Sequence, residues 1–120
     1  AGGGDEDIAA RTAGFDQLAT YISQRSSGHV VIVAGDTNLH GDDPDDVVIL
    51  TSFKAATGLQ DVCETVTCGS DRIDRFFFRD NDLIHLEPLT WTVAKEFVDA
   101  EGGDLSDHLA VNVTFGWKTK

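Results

Sequence analysis

The sequence predicts an α/β fold. Three observations predict it: apolar positions at helical spacing alternate along the chain with short β-branched runs, Gly, Asn or Asp bounds the runs, and no repeat or low-complexity tract interrupts the pattern. Asp5, Glu6 and Asp7 place three acids at the start of a helix, where they complement the macrodipole, and Ile8, Phe15, Leu18, Ala19 and Ile22 follow at helical spacing until Gly28 ends it. Val30-Val31-Ile32-Val33-Ala34 is an apolar run that reads as a buried strand. A loop over residues 40 to 46 leads to a second helix over residues 47 to 57, stopped by Gly58. Residues 72 to 79, 83 to 87, 89 to 98 and 108 to 115 then read as strands, with Asp80-Asn81-Asp82 as a tight turn between the first two. Trp91 and Phe97 are expected in the core.

Composition bounds the function classes. With 120 residues, 41% of them hydrophobic, and seven Phe, the chain can bury a core, and no stretch is long and apolar enough to span a membrane. The formal net charge of −12 opposes tight binding to a long polyanion, because proteins that bind nucleic acid release counterions through clustered Lys and Arg.

Three short peptides carry the chemistry. Gly35-Asp36-Thr37-Asn38 follows the first buried strand, so Asp36 and Asn38 stand at its carboxyl end, where open α/β sheets bind ligands. Arg72-Ile73-Asp74-Arg75-Phe76 puts a carboxylate between basic residues in a strand. Ser106-Asp107-His108 precedes the alternating run Leu109–Phe115, so His108 enters the sheet at its start. Hydrolysis of a phosphodiester needs a group that orients or deprotonates water, donors for the non-bridging oxygens, and usually a divalent cation. Each peptide also has a purely structural reading: Asp36 and Asn38 as turn formers, Asp74 as a partner of Arg72 or Arg75, Asp107 as a solvated loop residue, and Ser106 as a turn cap without chemistry.

In this order the peptides resemble the GDxN, R-I/L-D and SDH motifs of the endonuclease/exonuclease/phosphatase superfamily, which includes exonuclease III-type endonucleases, DNase I and neutral sphingomyelinases. The resemblance runs through nearly the whole chain. It implies the C-terminal half of a four-layer α/β sandwich, with a mixed, largely antiparallel sheet and flanking helices, residues 1–120 forming that half. It also implies that the first half supplies the glutamate that anchors the metal. The opening Ala1-Gly2-Gly3-Gly4, without an initiator Met, fits a chain that starts inside a domain. By the same resemblance Asp36 handles the nucleophile or a proton, Asn38 donates its amide to phosphate or water, His108 binds the scissile phosphate, Asp74 orients His108, and Asp107 lies near the metal together with Asp36. The implied cofactor is Mg²⁺, or another divalent cation such as Mn²⁺ or Ca²⁺.

The implied activity is metal-dependent hydrolysis of a phosphoester, foremost a phosphodiester. The expected substrate is a phospholipid or small phosphodiester rather than nucleic acid. A nuclease and a non-catalytic binding member of the family are the alternatives. The half-domain is expected to be inactive alone and to associate with its missing half or with itself through an apolar face built from Val31, Val33, Phe77 and Val111.

The remaining candidates are weaker. Asp42-Asp43-Pro44-Asp45-Asp46 lacks the ligand spacing, central Gly and terminal Glu of a Ca²⁺-binding EF-hand. His29, His40 and His85 have no zinc spacing, and of these only His40 stands near the mouth of the site. The loop Val98–Asp104 is polar and stands where it can touch substrate. Cys63 and Cys68 are consistent with free thiols, a disulfide or half a zinc site. Leu59-Gln60-Asp61-Val62-Cys63 and Cys68-Gly69-Ser70-Asp71 resemble extracytoplasmic bacterial members of the superfamily. That likeness implies a disulfide and an extracytoplasmic or secreted location.

Overall fold

The chain forms, in order, α1 (Asp5–Arg25), β1 (Val31–Asp36), α2 (Pro44–Thr57), β2 (Gln60–Asp61), a 3₁₀ turn (Val62–Glu64), β3 (Asp74–Arg79), β4 (Ile84–Val93) and β5 (Val111–Thr119). This is a computed structural model, and it describes residues 3–69 and 72–120; Ala1, Gly2, Ser70 and Asp71 lie outside the described residues.

Local sequence accounts for the ends of both helices. α2 begins at Pro44, three residues earlier than hydrophobic periodicity places it, because Asp43 caps it and accepts from the backbone N–H groups of Asp45 (2.9 Å) and Asp46 (3.4 Å) while Pro44 supplies a first-turn residue that needs no donor. Gly58, at φ 71°, ends it in the left-handed conformation that a side chain would resist. α1 ends at Arg25, with the Ser26 N–H bonded to the Ile22 carbonyl, and Gly28 makes the turn beyond. Arg79, the last residue of β3, donates to the carbonyls of Ser26 and Thr57, both at 2.6 Å, and of His29 at 3.3 Å. One guanidinium thus closes the negative ends of both helices onto the sheet.

β3 is central in a sheet of order β1-β3-β2, and every pairing among the described residues is antiparallel. Its side chains alternate between two cores. Phe77 faces α1 and α2, packing with Ile22, Ile49, Leu50, Phe53, Leu39 and Leu59 against Val31 and Val33. Phe78 faces the other way, toward Val62 of the 3₁₀ turn and Leu86 and Phe115 of the β4–β5 hairpin. The expected bare apolar face is therefore corrected at Val31, Val33 and Phe77, while Val111 stands apart from that cluster and is partly buried. Phe77 is 1% exposed and Val31 and Val33 pack onto the same cluster, because the chain's own helices cover that face.

The hairpin departs from expectation in three places. The two strands expected over 83 to 87 and 89 to 98 are one strand, β4, with a bulge between Pro88 and Thr90, where proline lacks a ladder donor. The strand ends at Val93, so Phe97 stands in a loop at 59% exposure rather than in the core, while Trp91 is half-buried. β5 starts at Val111, so His108 precedes the strand and stays in the loop.

Phe77 joins the helices to the sheet, its ring edge-on to Phe53 with centroids 5.4 Å apart. Phe77→Ala is expected to lower unfolding free energy by about 3–5 kcal/mol, read from the denaturant midpoint at constant m-value.

Candidate active site

Register builds the site. Asp36, the last residue of β1, pairs directly with Asp74, the first residue of β3. Directly opposed residues of an antiparallel pair project to the same face, so the two carboxylates stand side by side. His108 enters from the loop before β5. Its Nδ1 is 2.7 Å from Asp74 Oδ2 and its Nε2 is 3.8 Å from Asp36 Oδ2. Ligand atoms of Asp36, Asp74 and His108 all lie within 4.8 Å of one another, the one such group among the described residues. Residues remote in sequence thus converge, and the expected partnership of Asp74 with His108 is present.

The loop after β1 is held at every step. Asp36 Oδ1 accepts from the Asn38 N–H at 2.8 Å, and Asn38 takes φ 52°, the left-handed region that asparagine tolerates better than most side chains. Thr37 bonds the Ile73 carbonyl through both its N–H (2.8 Å) and its hydroxyl (2.7 Å), sewing the loop to the residue before Asp74. Leu39 is fully buried as an anchor. The His40 N–H donates to Asp46, which also pairs with Arg11 of α1 at 3.0 Å. His108 is fixed by its own turn, its N–H donating to Ser106 Oγ at 3.1 Å, so Ser106 has the structural role.

Beneath the loop lies a network that sequence reasoning missed. Arg75 donates to Asp61 Oδ2 at 2.9 Å and to the Leu39 carbonyl at 3.0 Å, and Arg72 donates to Asp61 Oδ1 at 3.1 Å and to Cys63 Sγ at 2.9 Å. The Cys63–Cys68 disulfide that the sequence led us to expect is present beside this network, with Cα atoms 5.6 Å apart. The signal for this network was faint: Arg75 adjoins Asp74, and Asp61 stands in the segment that matters for its cysteine. Burial with two arginines on one carboxylate could not be read from either.

The electrostatics favour a charged histidine. The bond to Asp74 and that carboxylate's charge raise the His108 pKa above its ordinary value, partial desolvation opposes this, and Asp36 and Asp107 add smaller upward contributions. Asp107 is exposed and lies outside the 4.8 Å group, acting on His108 only through its field. The side chains of Asp36 and His108 are 40% and 38% exposed, so a ligand reaches both. His40 is exposed and bonds Asp46 only through its backbone, and His85 pairs with Asp80 at 2.8 Å, away from this group.

The fold and this site define a class: the chain is related to the endonuclease/exonuclease/phosphatase superfamily. It is 30% identical over 119 residues to proteins named sphingomyelinase from Mycobacterium bovis and from Mycobacterium tuberculosis, the match covering 86% of this chain. A crystal structure of humanized D. rerio TDP2 superposes with a TM-score of 0.71 at 25% identity, over 95% of this chain. The chain spans 24% of the length of those sphingomyelinases and 48% of the TDP2 chain. No protein-family model matches it.

Two measurements check the site. Asp74→Asn is expected to bring the His108 titration midpoint down toward the ordinary histidine value, followed by NMR of the imidazole. Because the folded-state pKa is raised, this pairing contributes stability fully below the ordinary value and loses it as pH rises through the elevated one. The Asp74→Asn protein is therefore expected to lose that window of pH-dependent stability. Asp61→Ala leaves Arg75 buried without its carboxylate and is expected to cost about 3–5 kcal/mol in chemical denaturation.

Proposed function

We propose that this chain carries the phosphate-handling side of a metal-dependent phosphodiesterase. The observation that carries the reading is the convergence of Asp36, Asp74 and His108 from three separate motifs. In this reading Asp74 accepts the Nδ1–H of a protonated His108, whose Nε2–H donates to a non-bridging phosphate oxygen. Asp36 orients a water and takes its proton, and Asn38 contributes an amide donor. Water oxygen bonds to phosphorus, the bond from phosphorus to the leaving oxygen breaks, and that oxygen takes a proton from solvent, to which Asp36 returns the one it accepted.

The donor set fits a hard divalent cation. Mg²⁺ takes one or two carboxylates plus waters and substrate oxygens; Asp36, within the convergent group, would offer one carboxylate, and Asp107, outside that group, would reach the ion only through water. Charge points the same way. Asp36, Asp74, Asp107 and the Asp61 that Arg72 and Arg75 share outnumber the basic groups around the site, so a phosphodiester anion meets net repulsion until a cation such as Mg²⁺, Mn²⁺ or Ca²⁺ is held there. When bound, the cation supplies charge stabilisation at the phosphate oxygens.

The likeness to proteins named sphingomyelinase supports a lipid or small phosphodiester as substrate, and the net charge of −12 disfavours nucleic acid. Completion of the chain into a four-layer sandwich, as its C-terminal half, is part of the same reading. It is supported by the match to 48% of the TDP2 chain and by β1 and β5, which pair on one edge only among the described residues. Alone, the chain is expected to bind Mg²⁺ poorly and turn over little. The disulfide supports an extracytoplasmic or secreted location.

In the complete protein, Asp36→Asn and His108→Ala are each expected to lower hydrolysis of bis(p-nitrophenyl) phosphate by a factor on the order of a hundred or more with folding retained, and chelation of divalent metal to abolish it reversibly. Near-normal turnover in either folded variant would sink the assignment.

A further inference from the structure

The ion network beneath the site ends on a sulfur. Arg72 Nε donates to Cys63 Sγ at 2.9 Å while the same guanidinium reaches Asp61 Oδ1 at 3.1 Å, and Arg75 holds Asp61 Oδ2 at 2.9 Å. Two guanidiniums share one carboxylate, so positive charge is in surplus beside Cys63. Glu64, the next acid along the turn, is paired with Lys54. The contact at Cys68 has the opposite sign, because its sulfur lies 3.7 Å from the Val66 carbonyl oxygen. Negative charge is therefore stabilised on the Cys63 sulfur and opposed on that of Cys68. The bridge spans a sequence separation of 5, and stabilisation by chain entropy falls as the closed loop shortens, so opening it costs the fold less than opening a long loop would. Both cysteines are half-buried, within reach of a small molecule.

We propose that the Cys63–Cys68 bridge is a site of thiol–disulfide exchange with a fixed direction: a small-molecule thiolate attacks Cys68 Sγ, and Cys63 departs as a thiolate held by Arg72. The proton of the incoming thiol has gone to solvent before the attack. A new S–S bond forms at Cys68, the Cys63–Cys68 bond breaks, and its electron pair stays on Cys63, so the incoming sulfur is oxidised and Cys63 is reduced. A thiol of lower pKa leaves faster, and the guanidinium supplies that lowering. The adduct stands next to Gly69, which with Arg72 and Trp91 lines a groove of about 410 Å³ that Asp74, Asp107 and His108 also line. Thiolation of Cys68 thus puts a bulky group at the edge of the candidate site. The exchange itself does not depend on the phosphodiesterase reading of that site.

Two measurements on the folded protein test this. In the first, reduced glutathione is added at neutral pH, iodoacetamide traps the freed thiolate during the reaction, and tandem mass spectrometry localises both labels. Glutathione on Cys68 with carbamidomethyl on Cys63 is expected in about tenfold excess over the reverse. In the second, the bridge is fully reduced and alkylation is followed against pH. Cys63 is expected to titrate below the ordinary thiol value of about 8.5. Arg72→Gln is expected to raise that midpoint and to slow exchange about tenfold, while Arg72→Lys, which keeps the charge, retains most of both. An even split of labels, glutathione chiefly on Cys63, no opening of the bridge, a Cys63 midpoint at or above the ordinary value, or an unchanged midpoint in folded Arg72→Gln overturns the proposal. The labelling pattern and the midpoint are read on the parent protein, so they decide the matter even where Arg72→Gln fails to fold.

Discussion

The structure turns on two like charges placed opposite each other. Asp36 and Asp74 face one another across an antiparallel pair, an arrangement that destabilises a sheet unless a cation joins it. His108 joins them, drawn in by the bond to Asp74, which raises its pKa and so favours the cationic form. The register that enforces the opposition is fixed from the other face of the sheet. Val31 and Val33 must meet the helices with Phe77, so a slip of one residue would turn Asp36 toward the hydrophobic core and the valines toward solvent. Core packing therefore holds the carboxylates in place against their own repulsion.

The buried ion network extends this logic below the site. Removing Asp61, Arg72 and Arg75 from water is costly, and a well-packed apolar cluster would stabilise a fold at least as well. What the network provides is direction. Arg75 reaches the Leu39 carbonyl from β3, Asp61 holds Arg75 from the segment after α2, and Arg72 links that carboxylate to the disulfide sulfur. A loop that must place Asp36 and Asn38, with Asn38 in a left-handed conformation, is thereby tied to the strand that carries Asp74. Hydrogen-bond geometry gives this placement where non-directional apolar contact would not.

Much of this was legible in the sequence. The periodicity of Phe15, Leu18 and Ile22 and the β-branched run before Gly35 located α1 and β1, and the three motifs named every member of the Asp36–Asp74–His108 group, because strand ends and turns leave residue-type signatures. What escaped depends on pairing. The continuity of β4 through Pro88 requires β5 beside it, the exposure of Phe97 follows from where that strand stops, and the cover over Phe77 comes from helices distant in sequence. The start of α2 was missed for a local reason, since Asp43 and Pro44 sit in an acidic run that reads as loop until the cap geometry is seen.

Acidity, a disadvantage for any protein that handles phosphate, acts at two distances here. Over more than a Debye length the charges of a −12 chain are screened in physiological salt, so they deter a polyanion spread along the surface far more than a single phosphate arriving at one point. At contact distance the same carboxylates raise the His108 pKa and favour its charged form. In the proposed phosphodiesterase reading, a small phosphodiester thus meets less of this repulsion than a polyanion does. The acidity that works against a polyanion at long range thus supports the charged form of the site's histidine at short range.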